Sequence, residues 1–302
     1  MRAAGGTPSP AELVRLTALA ARTVGRPDVR VGLIDGPVAT GHPDLASATI
    51  LGVGDRPASC DWLGTTACGH GTFVAGILVG RRGSDAPSLC PGCTLLVRPI
   101  FGEEHDADGV PVSGPAEVSR AVVECVEAGA AVINLSAAVG HPTVRVETEI
   151  RAALDYAAER GTVVVAATGN QSTLGSSEIT RHPAVLPVVA YDRRGRLLAT
   201  SNIGMRVGRS GLGGPGEVTV FGTSRAGTSV ATAFVAGAAA LLMSLFADRS
   251  AREVRHALLC GPPRRSVVPP LLDAEAAYRI LAGRRPSQLV STGSRRWGAA
   301  RL

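Results

Sequence analysis

The chain contains no lysine, and it has few aromatic residues. All 31 basic residues are arginines; against 25 acidic residues they give a formal charge of +6, and aromatic residues make up only 3% of the chain. A nucleic-acid-binding surface typically combines clustered basic residues with aromatic side chains. The paired arginines are instead spread along the chain, at 81–82, 193–194, 264–265, 284–285 and 295–296. We therefore expect no nucleic-acid partner.

Long apolar runs are also lacking. A membrane span needs about 18–20 consecutive apolar residues, and the best candidate, 230–247, falls just short and is rich in alanine, as a core helix is. The first residues lack the apolar centre of a signal peptide, although Leu13, Leu16 and Leu19 recur at helical spacing between charged residues. We expect no membrane span and a cytoplasmic protein. Residues 1–28 are predicted to be an extension containing an amphipathic helix, with neither a signal nor a full prodomain.

The six cysteines do not form a pattern typical of a metal site. Cys90 and Cys93 have the C-x-x-C spacing that zinc sites and thioredoxin-like motifs use. A zinc site needs a second pair of ligands at similar spacing, and a redox motif should open a helix, whereas Cys93 is followed by the apolar run TLLVRPI. We interpret this segment as a turn with free or locally paired thiols. We predict no metal and no cofactor.

Short apolar, β-branched runs alternate with helical segments along most of the chain. The runs are 29–34, 94–100, 130–136, 162–170 and 186–192; the helical segments are 69–80, 115–128, 143–160, 251–260 and 271–282. This alternation predicts an α/β fold with a mostly parallel central sheet flanked by helices, over residues 29–282. A nucleotide-binding loop would need a strand-to-helix context around GLGGPG (211–216), so this segment is predicted to be a surface loop. Residues 283–302 are predicted to be a basic flexible tail.

Polar residues cluster where the predicted strands end. Asp35, Ser136 and Asn170 each follow a strand, and in open α/β sheets sites form beyond the carboxyl ends of the strands. His70 and Ser229 are predicted at the beginnings of two helices. Each residue alone has an ordinary structural role, because Asp-Gly forms turns and serine caps helices. Together they supply an acid, an imidazole and a hydroxyl, the groups that activate a serine nucleophile.

The segments that carry these residues resemble the active-site motifs of the subtilisin-like (S8) serine peptidases. DGPV…HPDL, HGTFVAG, INLS, VVVAATGN, TSNIG and GTSVATAFVAGAAALL occur in the order that this family has, over roughly residues 29–260. The resemblance implies a three-layer subtilisin-like fold. It implies that Asp35 orients His70, that His70 is the general base and then the acid, and that Ser229 is the nucleophile. Asn170 matches the side-chain donor of the oxyanion hole, with the Ser229 backbone N–H as the second donor.

The chain departs from the family pattern near the substrate cleft. Ala233 stands where a proline is usual, Phe73 replaces a second histidine, and residues 136–140 read SAAVG instead of beginning Ser-Leu-Gly-Gly. The resemblance still places substrate-binding residues in the cleft, at Ser136, Ala137, Ala138 and Gly169. The segment GRRGSDAPSLCPGC lacks the asparagine-rich loop that binds calcium in secreted relatives, so we predict no calcium there.

Arg181 aligns with a residue that closes the floor of the S1 pocket in this family. We hypothesise that a buried guanidinium there favours an acidic or polar residue before the cleaved bond. The alternative is that Arg181 pairs with Glu178 or points to water.

Three further segments, LIDGPV…HPDL, VRPIFGEE and HPAVLPVVAYD, are similar to those of the cyanobactin-maturation proteases and their relatives, which cleave ribosomally made precursor peptides. This similarity implies a precursor-peptide substrate, leader removal or a similar cut, and partners in a biosynthetic complex. The macrocyclising members carry an insertion between Asp and His that this chain lacks, which favours hydrolysis. The alternative function is a non-catalytic scaffold or binding subunit with the same fold.

Overall fold

A computed structural model describes residues 8–61, 65–101, 113–136, 144–261 and 265–283, with the side chains of 144–147 excepted. Within these ranges, seven strands form one sheet. They are β1 Arg30–Asp35, β2 Thr49–Gly52, β3 Thr94–Pro99, β4 Ala130–Leu135, β5 Val163–Ala167, β6 Val185–Tyr191 and β7 Leu212–Pro215. The strand order is β2-β3-β1-β4-β5-β6-β7 and every neighbouring pair is parallel. The predicted parallel α/β sheet is confirmed.

Helices cover both faces of this sheet. They are α1 Pro10–Leu13, α2 Thr17–Arg22, α3 Thr66–Val79, α4 Pro115–Glu127, α5 Val144–Glu159, α6 Glu178–Arg181, α7 Met205–Ser210, α8 Thr228–Leu245, α9 Ala251–Leu259 and α10 Ala274–Gly283. A separate antiparallel hairpin, β8 Glu217–Val220 and β9 Thr223–Ala226, precedes α8.

The two faces have separate apolar cores because side chains alternate along each strand. On β1, Val31 and Leu33 pack in the core that contains α3 and α8, while Ile34 packs in the core that contains α4 and α5. Both faces are covered, which explains why the strands read as nearly continuous apolar runs.

Helix α8 lies in the core of the molecule. By length and composition it could cross a membrane, and it is the single such helix in the described part of the chain. It is nevertheless 94% buried inside the protein, against five strands of the sheet and α3. Its apolar composition is therefore that of a core helix.

The prediction of a surface loop over 211–216 is wrong. Residues 212–215 form the buried strand β7, which pairs with β6. A Cβ on Gly213 would lie 2.2 Å from the ring of Tyr191, and one on Gly214 would lie 2.5 Å from the carbonyl oxygen of Ala231. The glycines therefore allow β7 to pack closely against β6 and α8, which composition alone does not reveal.

The N-terminal segment forms two short helices instead of one amphipathic helix. Arg15, between α1 and α2, has a left-handed backbone with φ of 53°, which turns the chain. The turn buries Val14 and Leu16 completely. It also brings Arg15 to 2.7 Å from Asp273, just before α10. The predicted basic tail lies outside the described residues.

Candidate active site

Asp35 and His70 are joined by a hydrogen bond at the carboxyl edge of the sheet. Strand β1 ends at Asp35, whose side chain is fully buried, and His70 Nδ1 lies 2.7 Å from Asp35 Oδ1. An ionised carboxylate can only accept, so Nδ1 donates and the other ring nitrogen, Nε2, can accept a proton. The Gly36 N–H also donates to Asp35 Oδ1, at 2.6 Å.

His70 lies within helix α3, one turn in, and not at its beginning as predicted. The helix begins at Thr66 because the Thr65 side chain accepts a hydrogen bond from Cys68 N, at 3.2 Å. The Cys60–Cys68 disulfide holds the same turn. Nothing in the spacing of the six cysteines predicts this pair. The imidazole keeps 28% of its surface exposed, so it can reach a substrate.

The environment of His70 raises its pKa above the ordinary value of 6.5. Burial alone favours the neutral imidazole and lowers the pKa. The charge of Asp35 and the hydrogen bond to it favour the protonated form and outweigh burial, while the positive charge of Arg225 acts against them. The Asp35–His70 pair is therefore arranged to stabilise an imidazolium.

Ser229 occupies the first turn of α8, as predicted. The capping position before this helix is held by Gly227, which has no side chain, so Ser229 does not have the capping role that serine usually has there. Its hydroxyl is half-buried and lies 3.4 Å from the carbonyl oxygen of Ser136. Between these described residues, Ser229 and His70 form no direct hydrogen bond. Such bonds are often long in a ligand-free site and tighten when substrate binds.

Asn170 is held beside the beginning of α8. Thr228 N donates to Asn170 Oδ1 at 2.9 Å, which leaves the Nδ2 donor of the amide for another partner. Gly227, with φ of 145°, lies against this amide, and a Cβ there would be 3.0 Å from Asn170 Nδ2. Within the described residues, the Ser229 backbone N–H donates to no acceptor. The two groups are suited to bind an anion at a helix N-terminus.

The other predicted cleft residues have different outcomes. Ser136 follows β4, and its hydroxyl accepts from Asn134 Nδ2 at 2.8 Å. Gly169, with φ of 97°, donates its N–H to Thr228 Oγ1 at 3.2 Å, so Thr228 also supports the loop that carries Asn170. The sequence motifs do not predict this supporting role of Thr228. Ala137 and Ala138 lie outside the described residues.

Arg181 is not the buried cation that the S1 hypothesis requires. It lies in the short helix α6 with 58% of its side chain exposed, it forms an ion pair with Glu178, and its Nη2 is 3.4 Å from the carbonyl oxygen of Ser176. The alternative, pairing with Glu178, is the arrangement found. An exposed and already paired guanidinium gains little from a second carboxylate.

Cys90 and Cys93 form a turn of two buried free thiols, as interpreted from the sequence. Cys93 N donates to the carbonyl oxygen of Cys90 at 2.9 Å.

The parallel α/β sheet presents an Asp–His pair, a serine in the first turn of a buried helix and a nearby amide. These are the groups that one class of protein, the serine peptidases, uses. The chain matches the family model described as the subtilase family (Peptidase_S8) over residues 26–260. The chain therefore belongs to the subtilase family of serine endopeptidases.

Individual relatives agree with this assignment. The chain is 32% identical over 241 residues to the thermophilic serine proteinase of Bacillus sp. (strain AK1), a match that covers 78% of this chain but 57% of that protein. It is 32% identical over 247 residues to subtilisin DY of Bacillus licheniformis, covering 76% and 82%. A solved structure of the prenylagaramide maturation protease PagA is similar with a TM-score of 0.74 and 28% identity, covering 89% of this chain and 99% of that one.

Proposed function

We propose that Asp35, His70 and Ser229 are the catalytic triad of this endopeptidase and that Asn170 completes its oxyanion hole. In the first step, Ser229 Oγ attacks the substrate carbonyl carbon while its proton moves to His70 Nε2. The charge that forms on the carbonyl oxygen is stabilised by Asn170 Nδ2 and the Ser229 backbone N–H. The imidazolium is stabilised by Asp35, through the 2.7 Å hydrogen bond that carries this proposal.

The second half of the reaction reverses these roles. The C–N bond breaks as His70 donates its proton to the leaving amine, and the acyl group stays on Ser229. A water molecule then attacks the acyl carbon and gives its proton to His70. His70 returns a proton to Ser229 Oγ, and the new carboxyl group leaves.

For the substrate, we propose a ribosomally made precursor peptide that is cut by hydrolysis, for example to remove a leader. The likeness to PagA, which is a maturation protease by name, supports this substrate class. The same likeness is compatible with partners from a biosynthetic complex.

The cellular compartment of the protein is predicted from the sequence alone. A cytoplasmic enzyme was expected from the sequence, but the Cys60–Cys68 disulfide favours an oxidising environment, because a reducing cytosol keeps thiols free. Alkylation of free thiols in freshly lysed native cells, followed by mass spectrometry of the 60–68 peptide, distinguishes the two.

A fluorophosphonate probe together with the Ser229→Ala variant tests the activity. Wild-type protein is expected to be labelled at Ser229 and to cleave peptides. Ser229→Ala should bind no label and lose roughly 10⁶-fold in kcat, the loss seen when a subtilisin loses its nucleophile. If a short precursor-peptide gene lies beside this one, incubation of both proteins with its product, followed by mass spectrometry, gives the cut site. A folded wild-type protein that neither reacts nor cleaves would support the scaffold alternative.

A further inference from the structure

Arg225, on strand β9, is an arginine without an oxygen partner beside the candidate active site. Within the described ranges, the other arginines that are partly or fully buried each reach an oxygen acceptor. Examples are Arg98 with Glu117 at 2.8 Å and Arg255 with the carbonyl oxygen of Pro183 at 2.7 Å. Arg225 forms no hydrogen bond or ion pair there, and its buried Nε has no partner. Its charge is therefore uncompensated.

The guanidinium of Arg225 lies against α3 at Gly69 and Phe73, the helix face next to the one that carries His70. Its Cζ is 5.6 Å from the centroid of the Phe73 ring, and a Cβ on Gly69 would lie 3.3 Å from its Nη2. Gly69 and Phe73 are one helical turn apart, and His70 lies between them in the chain. Phe73, the residue that replaces a histidine of the family motif, gives the cation a neutral aromatic surface. A histidine at 73 could carry a second positive charge there.

The proposed mechanism puts Arg225 on the leaving-group side of the site. The acyl half of a substrate is held where its carbonyl oxygen meets Asn170 and the Ser229 amide. The amine that leaves receives its proton from His70, so the residues that follow the cleaved bond extend past this imidazole. A cation that flanks His70 on α3 is therefore placed next to those residues.

We propose that Arg225 binds a carboxylate on the leaving-group side of the scissile bond, and so selects substrates with an acidic group directly after the cut. This inference rests on the proposed peptidase function and adds a specificity to it. A partly dehydrated guanidinium without a partner gains a charge-assisted hydrogen bond from a carboxylate. A basic residue at the same place is disfavoured by repulsion.

Two sources can supply this carboxylate, and peptides distinguish them. One is an Asp or Glu side chain directly after the cut; the other is the C-terminal carboxylate of a leaving segment one residue long. A cut sequence is first identified in a peptide library by mass spectrometry, and is then synthesised with Glu, Gln or Arg after the cut. A second set ends one residue after the cut, either as the free acid or as the amide.

We expect wild-type protein to cleave the Glu peptide, or the free acid, about tenfold faster in kcat/KM than its neutral counterpart, the size of one hydrogen bond to a charged group. The Arg peptide should be the slowest. A peptide with Glu moved three positions further along should behave like the Gln peptide. This control separates a local contact from general attraction of acidic peptides to a chain of charge +6.

Substitution of Arg225 tests the assignment to this residue. Arg225→Leu should abolish the preference and Arg225→Glu should invert it toward the Arg peptide. Arg225→Lys, which keeps the charge, should retain part of it. Arg160→Leu is the matched control, because Arg160 also lies over an aromatic ring, 5.5 Å from the centroid of Tyr156, but follows α5 at the opposite edge of the sheet. That variant should keep the full preference.

The inference is overturned if wild-type protein cleaves the Glu and Gln peptides and both members of the acid–amide pair equally well, or if the preference survives in Arg225→Leu. If Arg225→Leu does not fold, the wild-type comparison and Arg225→Lys still decide. Failure of the proposed function has a different signature: no peptide is cut and no fluorophosphonate is bound, and the inference then falls with it.

Discussion

Helices α3 and α8 carry His70 and Ser229 of the candidate site, but their first turns are built in opposite ways. In α3, the Thr65 side chain caps the helix and the Cys60–Cys68 disulfide ties its first turn to the preceding loop. In α8, the residue before the helix is a glycine with no side chain to cap it, Asn170 Oδ1 accepts from Thr228 N, and the amide of Ser229 is left unbonded among the described residues.

This difference follows the chemistry of each residue. In the proposed mechanism, His70 keeps one orientation through both proton transfers, and a satisfied, cross-linked helix end limits its movement. The proposed role of Ser229 needs its backbone N–H to be free to meet a developing negative charge, and a capping side chain on that amide would occupy it. One helix end therefore serves stability, and the other keeps the donor that the proposed reaction needs.

Removal of the Asn170 side chain should lower the reaction rate through the first turn of α8 and leave α3 unchanged. Asn170→Ala and Asn170→Asp both lose the Nδ2 donor, although the aspartate keeps an acceptor for Thr228 N. We expect each to lower kcat by about 10²–10³-fold with little change in thermal stability, the cost of one oxyanion-hole donor. Gln171→Ala removes an amide from the next residue and should leave kcat nearly unchanged. Steady-state kinetics and thermal melts check this; a loss below tenfold would remove Asn170 from the oxyanion hole.

Removal of the disulfide should lower the stability of the protein through the first turn of α3 and leave the first turn of α8 unchanged. The bridge closes a short loop with a sequence separation of 8. The Cys60→Ser/Cys68→Ser double variant should therefore lose about 2–3 kcal/mol in free energy of unfolding, by the loop-entropy relation. While folded, it should keep most of its kcat. Denaturant unfolding with and without reductant checks this, since reductant should destabilise the wild type and leave the double variant unchanged. A variant as stable as the wild type contradicts it.

The pH dependence of kcat/KM should report the charges around His70 on α3. The base must be neutral, so the rate falls as pH drops through the pKa of His70, and this acid limb should lie above 6.5 because that pKa is raised. Arg225 disfavours the imidazolium, so Arg225→Leu should raise the pKa further and move the limb to higher pH. The measurement uses the Gln peptide, for which the proposed carboxylate contact is absent. A limb that stays in place or moves to lower pH contradicts this action of Arg225 on the imidazole.

The local features of the fold could be predicted because they depend on neighbours along the chain. A nearly continuous apolar run marks β1 up to Asp35, and the apolar run after Ser229 marks α8. The beginning of α3 was missed because its cap, Thr65, lies before the segment that has apolar periodicity. Strand β7 was missed because the closeness of Tyr191 and Ala231, which its glycines permit, is a contact between distant segments.

Side-chain periodicity and motifs only a few residues long are enough to predict the alternation of strands and helices and the order of Asp35, His70 and Ser229 along the chain. Which arginine has a charged partner, by contrast, depends on contacts between distant segments. Arg181 is paired with Glu178, while Arg225 lies over Phe73, far away in the chain, without an oxygen partner in the described residues. Whether a charge is compensated depends on every group that folding brings around it, and residue order alone does not specify that set.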